Sequence, residues 1–166
     1  MVSQDKGSQD REVGGLNIDQ YTTAPLQMTK TLELPADPQE VFATLTAHAE
    51  MPEWFPGMSA AGVDNAHAER EGGAGAVRVC TFGSEVLTED IVLTDAPERF
   101  AYKIRDGNFM GLREHFALVT LEPSAGGTLL RWRQFFHHPD PEAFNVQGGA
   151  MLEGALENLR AKYTDV

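Results

Sequence analysis

Four polar residues of the sequence lie inside short apolar runs that alternate as β-strands do. They are Arg78 in AVRVCTF, Glu89 in EVLTEDIVL, His115 in LREHFALVTLE and Gln134 in TLLRWRQFF. An arginine can stabilise a developing oxyanion, a carboxylate or an imidazole can move a proton, and an amide can orient a bound molecule. A few polar groups placed among apolar ones are also typical of a small-molecule cavity. The pattern therefore predicts either a binding cavity or an acid–base site.

Strand alternation leaves the direction of Arg78 open. Either the odd-numbered residues of AVRVCTF face the interior, or Arg78 and its alternate neighbours do. A buried charge persists only with a partner, and Glu89 shares its strand face with the aliphatic residues Leu87 and Ile91. If Arg78 faces inward, we expect it to pair with Glu89 and to serve a ligand rather than stability. In the other case Arg78 is an ordinary surface residue.

His115 and Gln134 both fall on predicted inner faces. The two arginines of TLLRWRQFF mark the solvent side of that strand, which turns Gln134 inward together with Trp132 and Phe136. The polar residues of LREHFALVTLE turn His115 inward in the same way, and those of FAYKIR turn Tyr102 inward. His115 is then either a core histidine with satisfied hydrogen bonds or a proton carrier, a role that its ordinary pKa near neutrality would suit.

The sequence predicts no metal site and no cofactor. His137 and His138 are adjacent, but consecutive side chains of a strand point to opposite faces, and no third ligand is evident. The run GGAGAV lacks the third glycine of a dinucleotide motif and the lysine of a phosphate loop, so it favours a hairpin turn. Cys80, the single cysteine, excludes an internal disulfide framework and is expected to be a small core residue.

The elements that carry these residues follow in the order strand, helix, meander of strands, helix. A first strand is predicted in LQMTKTLELP. Asp37, Pro38 and Glu40 then resemble a capping box and predict a helix of about three turns that ends at EMPEWFPG. Apolar residues at helical spacing predict a long C-terminal helix in PEAFNVQGGAMLEGALENLRAKY. This order is typical of an α+β protein with helices on one face of an antiparallel sheet.

Gly148 lies on the apolar stripe of the predicted C-terminal helix, between Phe144 and Met151. Glycine costs about 1 kcal/mol relative to alanine inside a helix, so its presence needs a reason. Either the missing side chain leaves room for a closely packed strand or a ligand, or the glycine marks a frayed or kinked helix start.

The composition is that of an acidic globular domain. The chain has 166 residues, a formal net charge of −12 at pH 7 and 42% hydrophobic residues. This size fits one domain, and the charge disfavours nucleic acid and anionic membrane surfaces as partners. No segment approaches the roughly 18 consecutive apolar residues of a membrane span, so we expect no integral membrane contact. The lone cysteine fits a cytoplasmic location, and we expect a monomer or a homodimer.

The first residues of the chain differ from the rest. Residues 1–24 are rich in Ser, Gln, Asp and Gly and have no apolar stretch of signal-peptide length. We therefore expect a disordered leader over residues 1–24, followed by a single domain over residues 25–166.

Four local strings occur in an informative order over about residues 26 to 163: ADPQEVFATLT with MPEWFPG, the GAGAVR run, LTEDIVLTDAPERFAYKI, and HFALVTLEPSAGGTLLRWR. In these strings the sequence resembles the START-like superfamily, also called the SRPBCC or Bet v 1-like helix-grip fold, and within it the bacterial polyketide cyclase/dehydrase-like proteins. The resemblance implies a seven-stranded antiparallel sheet curled around the long C-terminal helix, two short helices after strand 1, and a hydrophobic cavity between sheet and helix. It also favours inward-facing Arg78 and Glu89.

The resemblance implies two main functions. Members of this superfamily bind lipids, polyketides, hormones or other apolar molecules, and some catalyse cyclisation, dehydration or hydrolysis, so the fold alone does not define an activity. Binding of a small hydrophobic or aromatic molecule, lipid- or polyketide-like, is the main hypothesis. The alternative is a cyclase or dehydratase, in which Arg78 stabilises an oxyanion and Glu89 or His115 moves a proton. A protein-interaction or stress-response domain is a third possibility that no specific feature supports.

The predicted ligand-binding residues are those on the inner faces and at the ends of the helices. The motif EMPEWFPG closes one end of the cavity in a helix-grip fold, and its prolines limit how far it can move. We expect Trp54 to face the cavity rim and Phe55 to anchor the loop in the core. The full set is Trp54, Phe55, Arg78, Glu89, Tyr102, His115, Trp132, Gln134, Phe136, Phe144 and Met151.

Overall fold

The structure is a computed structural model that describes residues 11–164. The described part of the chain starts with a two-stranded hairpin and a 3₁₀ turn, Ile18–Gln20, and a second 3₁₀ segment, His48–Glu53, follows the first helix. The strands are β1 (Glu12–Val13), β2 (Leu16–Asn17), β3 (Leu26–Leu34), β4 (Ala60–Asp64), β5 (Val77–Phe82), β6 (Glu85–Asp95), β7 (Arg99–Ile104), β8 (Arg113–Ser124) and β9 (Gly127–His137). The helices are α1 (Pro38–Thr46) and α2 (Pro141–Thr164).

Strands β3 to β9 form one antiparallel sheet with the order β3-β9-β8-β7-β6-β5-β4. Strands β4 to β9 are a meander, in which each strand pairs with the next, and β3 joins the sheet beside β9. The predicted α+β class and the seven-stranded sheet with a long C-terminal helix are confirmed. Among residues 11–164, no helix is long and apolar enough to cross a membrane.

Helix α1 begins as the sequence predicts but ends earlier. The Asp37 carboxylate accepts a hydrogen bond from the Glu40 amide at 2.9 Å, and Pro38 occupies the first turn. The α-helix stops at Thr46 because Ala47 leaves the helical region, with φ −79° and ψ 73°. The chain then continues as the 3₁₀ segment His48–Glu53, which contains Pro52. The two predicted short helices after the first strand of the main sheet are thus an α-helix and a 3₁₀ helix.

Helix α2 has 24 residues and lies against β3 and the inner face of the sheet. The Asp140 carboxylate accepts a hydrogen bond from the Ala143 amide at its start. Leu152, Leu156 and Leu159 are buried at helical spacing, so this stripe forms one wall of the core.

The main core lies between the inner face of the sheet and the helices. In β9, Leu130, Trp132 and Phe136 are buried in this core, as the alternation predicts. In β5, Arg78 and Cys80 are buried, whereas the side chain between them, Val79, is exposed. Of the two alternatives for β5, the structure therefore has the one in which Arg78 points inward.

Residues 11–24 are part of the fold, contrary to the predicted disordered leader. β1 and β2 pair as a hairpin, and Ile18 is completely buried against the outer face of the sheet. The Tyr21 ring stacks on Phe116, with 4.6 Å between centroids and 14° between planes. Arg11 donates hydrogen bonds to the carbonyls of Thr22 and Ala24, which fixes the start of the segment. Residues 1–10 of the predicted leader lie outside the described residues.

The physical reason for this difference is the outer face of the sheet. Phe116, Leu118 and Phe135 point away from the main core and would be exposed without residues 11–24. Burying three large apolar side chains contributes about 1.5–3 kcal/mol each, which offsets the polar composition of the segment that covers them.

Candidate functional site

An ion pair between β5 and β6 is the most buried charged group of the described chain. Arg78 and Glu89 are direct cross-strand partners, and Arg78 Nε donates to Glu89 Oε1 at 2.5 Å. Their relative exposures are only 2% and 4%. The Cys80 thiol also donates to Glu89 Oε1, at 3.7 Å, and burial followed by the Glu89 charge raises the pKa of this thiol to about 12. The thiol is therefore held protonated, as a weak donor to the carboxylate.

His48 holds the other edge of the Arg78 guanidinium. Arg78 Nη1 lies 3.2 Å from His48 Nδ1, and His48 Nε2 lies 3.0 Å from the Gly72 carbonyl oxygen. Because arginine can only donate, Nδ1 must be the acceptor and Nε2–H the donor, so the imidazole is neutral. Burial, and then the charge of Arg78, lower the pKa of His48 to about 4. No pattern in the sequence indicates this role of His48, since its partner Gly72 lies in a distant loop.

Two aromatic rings pack against the guanidinium. Arg78 Cζ lies 4.9 Å from the centroid of Tyr102 and 5.7 Å from that of Phe100. Cation–π contacts of this kind stabilise a desolvated guanidinium by about 2 kcal/mol. Arg78 is thus fixed by Glu89 on one edge, by His48 on the other, and by the two rings.

His115 and Gln134 form a second buried polar cluster. The Ile104 amide donates to His115 Nδ1 at 3.0 Å, and His115 Nε2 lies 2.7 Å from Gln134 Oε1. The regular pairing of β7 with β8 ends at Tyr102 and Ala117, so the imidazole supplies the acceptor that the strand backbone does not. Burial lowers the pKa of His115 to about 4. Both ring nitrogens are occupied by the protein, which is the geometry of a core histidine.

A cavity of about 60 Å³ lies between the sheet, the 3₁₀ segment and α2. Its polar lining consists of Arg78, Glu89, Gln134 and the tyrosine Tyr102. The apolar lining residues are Met51, Phe55, Met58, Phe82, Leu87, Ile104, Met110, Leu112, Phe144, Met151 and Leu152, and Gly148 completes the wall. A buried volume of this size holds a small polar group but not the body of an apolar molecule, since ligand pockets are typically about 300–1,000 Å³.

A larger apolar groove of about 560 Å³ adjoins this cavity on the outside. Phe109 and His138 line only the groove, and Phe109 is 44% exposed. Five residues line both spaces and form the partition between them: Phe82, Met110, Phe144, Gly148 and Met151.

Gly148 determines where the Phe144 ring of the partition can lie. A Cβ at Gly148 would come within 2.8 Å of the Phe144 ring, closer than side-chain carbons approach one another. The glycine leaves room as one interpretation expects, but the occupant of that room is the Phe144 ring of the same helix and neither a strand nor a ligand. The helix is continuous through this position.

Seven of the eleven predicted ligand-binding residues line the cavity, and four do not. Those that line it are Phe55, Arg78, Glu89, Tyr102, Gln134, Phe144 and Met151. Those that do not are Trp54, His115, Trp132 and Phe136, which are buried in the core behind the lining.

The expected roles of Trp54 and Phe55 are reversed. Trp54 is 2% exposed and packs in the core, where its carbonyl accepts a hydrogen bond from Asn158 of α2. Phe55 is half-buried, lines the cavity, and contacts the Phe82 ring edge-on at 6.1 Å. The physical reason is the backbone at the end of the 3₁₀ segment, where Asn158 of α2 holds the Trp54 carbonyl while the next residue, Phe55, directs its ring toward Phe82 of β5.

The lining residues that were not predicted are mainly methionines and aliphatic residues. Met51 lies within the EMPEWFPG motif, Met58 directly follows it, and Met110 lies in the loop between β7 and β8. Methionine is flexible and fills irregular gaps, so its position in a sequence does not indicate whether it lines a cavity or fills a core. Only the frequency of methionine around the motif could have drawn attention to this wall.

A long helix packed on the inner face of an antiparallel sheet, with an apolar cavity between them that ends at buried polar groups, defines a helix-grip protein. The family described as polyketide cyclase/dehydrase and lipid transport matches residues 25–164. The chain belongs to this family, and its fold is that of the SRPBCC superfamily. No curated protein matches the sequence.

Solved structures of similar fold come from diverse sources. A solution structure of a Thermobifida fusca protein is 24% identical over 82% of this chain and 91% of its own, with a TM-score of 0.68. Ara h 8.0201 is 18% identical over 84% of this chain and 97% of its own, with a TM-score of 0.68. A point mutant of norcoclaurine synthase from Thalictrum flavum, in complex with a transition-state analogue, is 13% identical over 87% of this chain and 96% of its own, with a TM-score of 0.63. At these identities the likeness concerns the fold.

Proposed function

We propose that this protein binds a small hydrophobic or aromatic molecule, lipid- or polyketide-like, between the sheet and α2. The observation that carries the proposal is the pair of adjoining spaces, a small inner cavity that ends at Arg78 and Glu89 and an outer groove of about 560 Å³ lined mainly by aromatic, methionine and glycine residues. The groove has the volume of a small-molecule site, and the inner cavity offers fixed polar groups that would orient the bound molecule. Such a ligand would place its apolar body in the groove and one polar end inside.

The family supports this proposal, because its description includes lipid transport. An exposed phenylalanine and methionine, Phe109 and Met151, stand at the mouth of the groove, where apolar side chains gain from contact with a ligand. A cytoplasmic location stays an expectation based on the lone cysteine.

Titration with a neutral apolar fluorophore such as Nile red tests the proposal. We expect saturable binding at one site, with the emission shift of a dye that leaves water. The Gly148→Leu variant should lose this binding, because its side chain projects from the partition between the two spaces. Gly154→Leu is the matched control on the same helix, since the nearest atom to a Cβ there is Pro56 Cγ at 3.4 Å, outside both spaces. Equal dye binding by wild type and both variants would overturn the proposal, provided that urea unfolding shows all three to be folded.

The second candidate is an enzyme of the cyclase or dehydratase type. The observation in its favour is that Arg78 and Glu89, a fixed cation and a carboxylate, both line the cavity. In a dehydration, Glu89 would take a proton from the carbon next to a carbonyl group, Arg78 would stabilise the enolate oxygen, and a hydroxide would leave and combine with that proton as water. His115 was the other proposed proton carrier, but it has no ring nitrogen left for a substrate.

Native mass spectrometry of the protein from its own host would separate the two candidates. The retained molecule is extracted and incubated again with wild-type protein and with Glu89→Gln. If wild type removes water from it and Glu89→Gln does not, the protein is an enzyme. If both return it unchanged, binding is the function.

A further inference from the structure

The ion pair beneath the cavity has unused hydrogen-bonding capacity on one side. Every side-chain hydrogen bond of Glu89 within residues 11–164 uses Oε1, and those of the Arg78 side chain use Nε and Nη1. The second carboxylate oxygen, Oε2, and the third guanidinium nitrogen, Nη2, therefore have no partner in this part of the chain. Neither atom is among the completely enclosed atoms without a partner, and both residues line the cavity.

Both atoms belong to groups that take part in the contact between the two side chains. In a guanidinium, Nη2 is on the same edge as Nε, and Nε is the atom that bonds to Glu89. Nη1, on the opposite edge, is held by His48. The free donor and the free acceptor therefore both lie close to the Nε–Oε1 contact, because Nη2 shares its carbon with Nε and Oε2 shares its carbon with the oxygen that Nε contacts.

The surrounding contacts prevent the pair from rearranging to use these atoms itself. His48, the rings of Tyr102 and Phe100, and the Cys80 thiol fix both ends, and a planar guanidinium cannot turn without breaking them. The pair therefore presents unused N–H groups of Arg78 and an unused carboxylate oxygen of Glu89 to whatever enters the cavity.

From this arrangement we infer that the site selects a neutral hydroxyl group, such as a phenol or an alcohol, and rejects carboxylates. This inference rests on the proposed binding function and specifies the polar end of its ligand. A hydroxyl accepts from Arg78 Nη2 and donates to Glu89 Oε2 at the same time. A carboxylate satisfies only the arginine and places a second negative charge against Glu89, which is unfavourable in a buried site. The inner cavity of about 60 Å³ suits this end of the molecule, while an attached ring extends past Phe144 into the outer groove.

Three ligands of nearly the same shape test the inference: 2-naphthol, 2-naphthoate and naphthalene. Their affinities are measured by displacement of Nile red at pH 7, where 2-naphthol is neutral and 2-naphthoate is an anion. We expect 2-naphthol to bind wild type at least about tenfold more tightly than either of the others, the effect of about one good hydrogen bond. The inference that the site selects a hydroxyl group would be overturned if naphthalene or 2-naphthoate bound as tightly as 2-naphthol.

The Glu89→Gln variant provides a second readout. It removes the negative charge and leaves the Arg78 charge without its counterion, so 2-naphthoate should gain about tenfold or more in affinity while 2-naphthol loses its advantage. Glu85→Gln, an exposed position on the same strand, is the matched control and should behave like wild type. Unchanged selectivity in a folded Glu89→Gln protein would contradict the inference. If that variant does not fold, the ranking of the three ligands by wild type decides alone.

The two proposals can fail separately. If Nile red and all three naphthalene compounds fail to bind, the proposed function fails and the inference with it. If the dye and naphthalene bind but 2-naphthol has no advantage, the binding function stands and only the selection of a hydroxyl group is wrong.

Discussion

Two buried histidines of this protein are both neutral, but they have different structural roles. His48 and His115 are both almost without solvent contact, and both have pKa values lowered to about 4, chiefly by burial. His115 accepts from a backbone amide and donates to Gln134, so it completes the sheet where the pairing of two strands ends. His48 accepts from Arg78 and donates to a loop carbonyl, so it holds a charged group that lines the cavity.

The difference between the two clusters shows that burial alone does not identify a functional residue. Both histidines are fully hydrogen-bonded, and both clusters reach the cavity wall, through Arg78 and Glu89 in one case and through Gln134 in the other. Gln134 uses its amide nitrogen on Met28 Sδ and its oxygen on His115, whereas the Arg78–Glu89 pair leaves Nη2 and Oε2 without a partner among the described residues. A binding or acid–base role belongs where a polar network leaves atoms unpaired at a cavity. Substitutions in the two clusters should therefore differ in their effects on stability and on ligand binding.

The largest effect is expected when the ion pair loses one partner. Arg78→Met leaves the Glu89 carboxylate buried without a counterion and should lower the free energy of unfolding by about 3–5 kcal/mol at pH 7. The double variant Arg78→Met/Glu89→Leu should recover most of this loss, because an apolar pair of similar volume replaces the charges. Urea unfolding of the four proteins in the cycle measures the coupling. A double variant as unstable as the single one would show that the pair is needed for the fold itself.

A somewhat smaller loss is expected at His115. His115→Phe leaves the Ile104 amide and the Gln134 side chain without their partners, at about 1–3 kcal/mol each, and should lower stability by about 2–4 kcal/mol. Its affinity for Nile red should stay within about twofold of wild type, because His115 does not line the cavity. Loss of dye binding by a folded His115→Phe protein would contradict the structural role that the geometry supports.

Acid should destabilise the protein through both histidines. Their folded-state pKa of about 4 lies below the ordinary value of 6.5, so the unfolded chain takes up protons first as the pH falls. The two histidines do not lower the free energy of unfolding above about pH 6.5. Between pH 6.5 and pH 4 they lower it progressively, by about 2 kcal/mol per histidine at pH 5. Denaturant unfolding at pH 7 and pH 5 should show a smaller difference in His48→Gln and in His115→Phe than in wild type. An unchanged difference would mean that carboxylates alone cause the acid loss.

The smallest effect is expected at the mouth of the groove. Phe109 is 44% exposed and packs its ring near Phe82, 5.9 Å away. Phe109→Ala should weaken Nile red binding by about two- to fivefold and change stability by less than about 0.5 kcal/mol, as exposed substitutions do. The matched control is Val146→Ala, an exposed position of α2 that does not line the groove. An equal effect of both substitutions on dye binding would exclude this entrance.

Alternation in the sequence predicted much of the sheet, because one covered face imposes a period of two on every strand. It placed Trp132, Gln134 and Phe136 on one face of β9 and made Glu89 the natural partner of an inward Arg78. It could not predict His48, since the hydrogen bond of that residue depends on how a loop around Gly72 returns to the helix.

Two further features depend on tertiary packing rather than on local pattern. Trp54 and Phe55 are adjacent, and which ring faces the cavity is decided by the turn of the 3₁₀ segment against α2. The volume of the inner cavity depends on the rotamers of the methionines and of Phe144, which no sequence spacing determines. Sequence reasoning therefore located the cavity among the right strands but not its size or its complete wall.

Residues 11–24 cover the outer face of the sheet and belong to the folded domain, although the family match does not include them. That match begins at residue 25, whereas the apolar contact with Phe116 and Phe135 is made by residues before it, among them Ile18 and Tyr21. A chain shortened to residues 25–164 would expose a hydrophobic patch that other molecules could bind. In the full chain that patch already has an occupant, held in place at high effective concentration, so any outside partner must compete with the protein's own N-terminal segment.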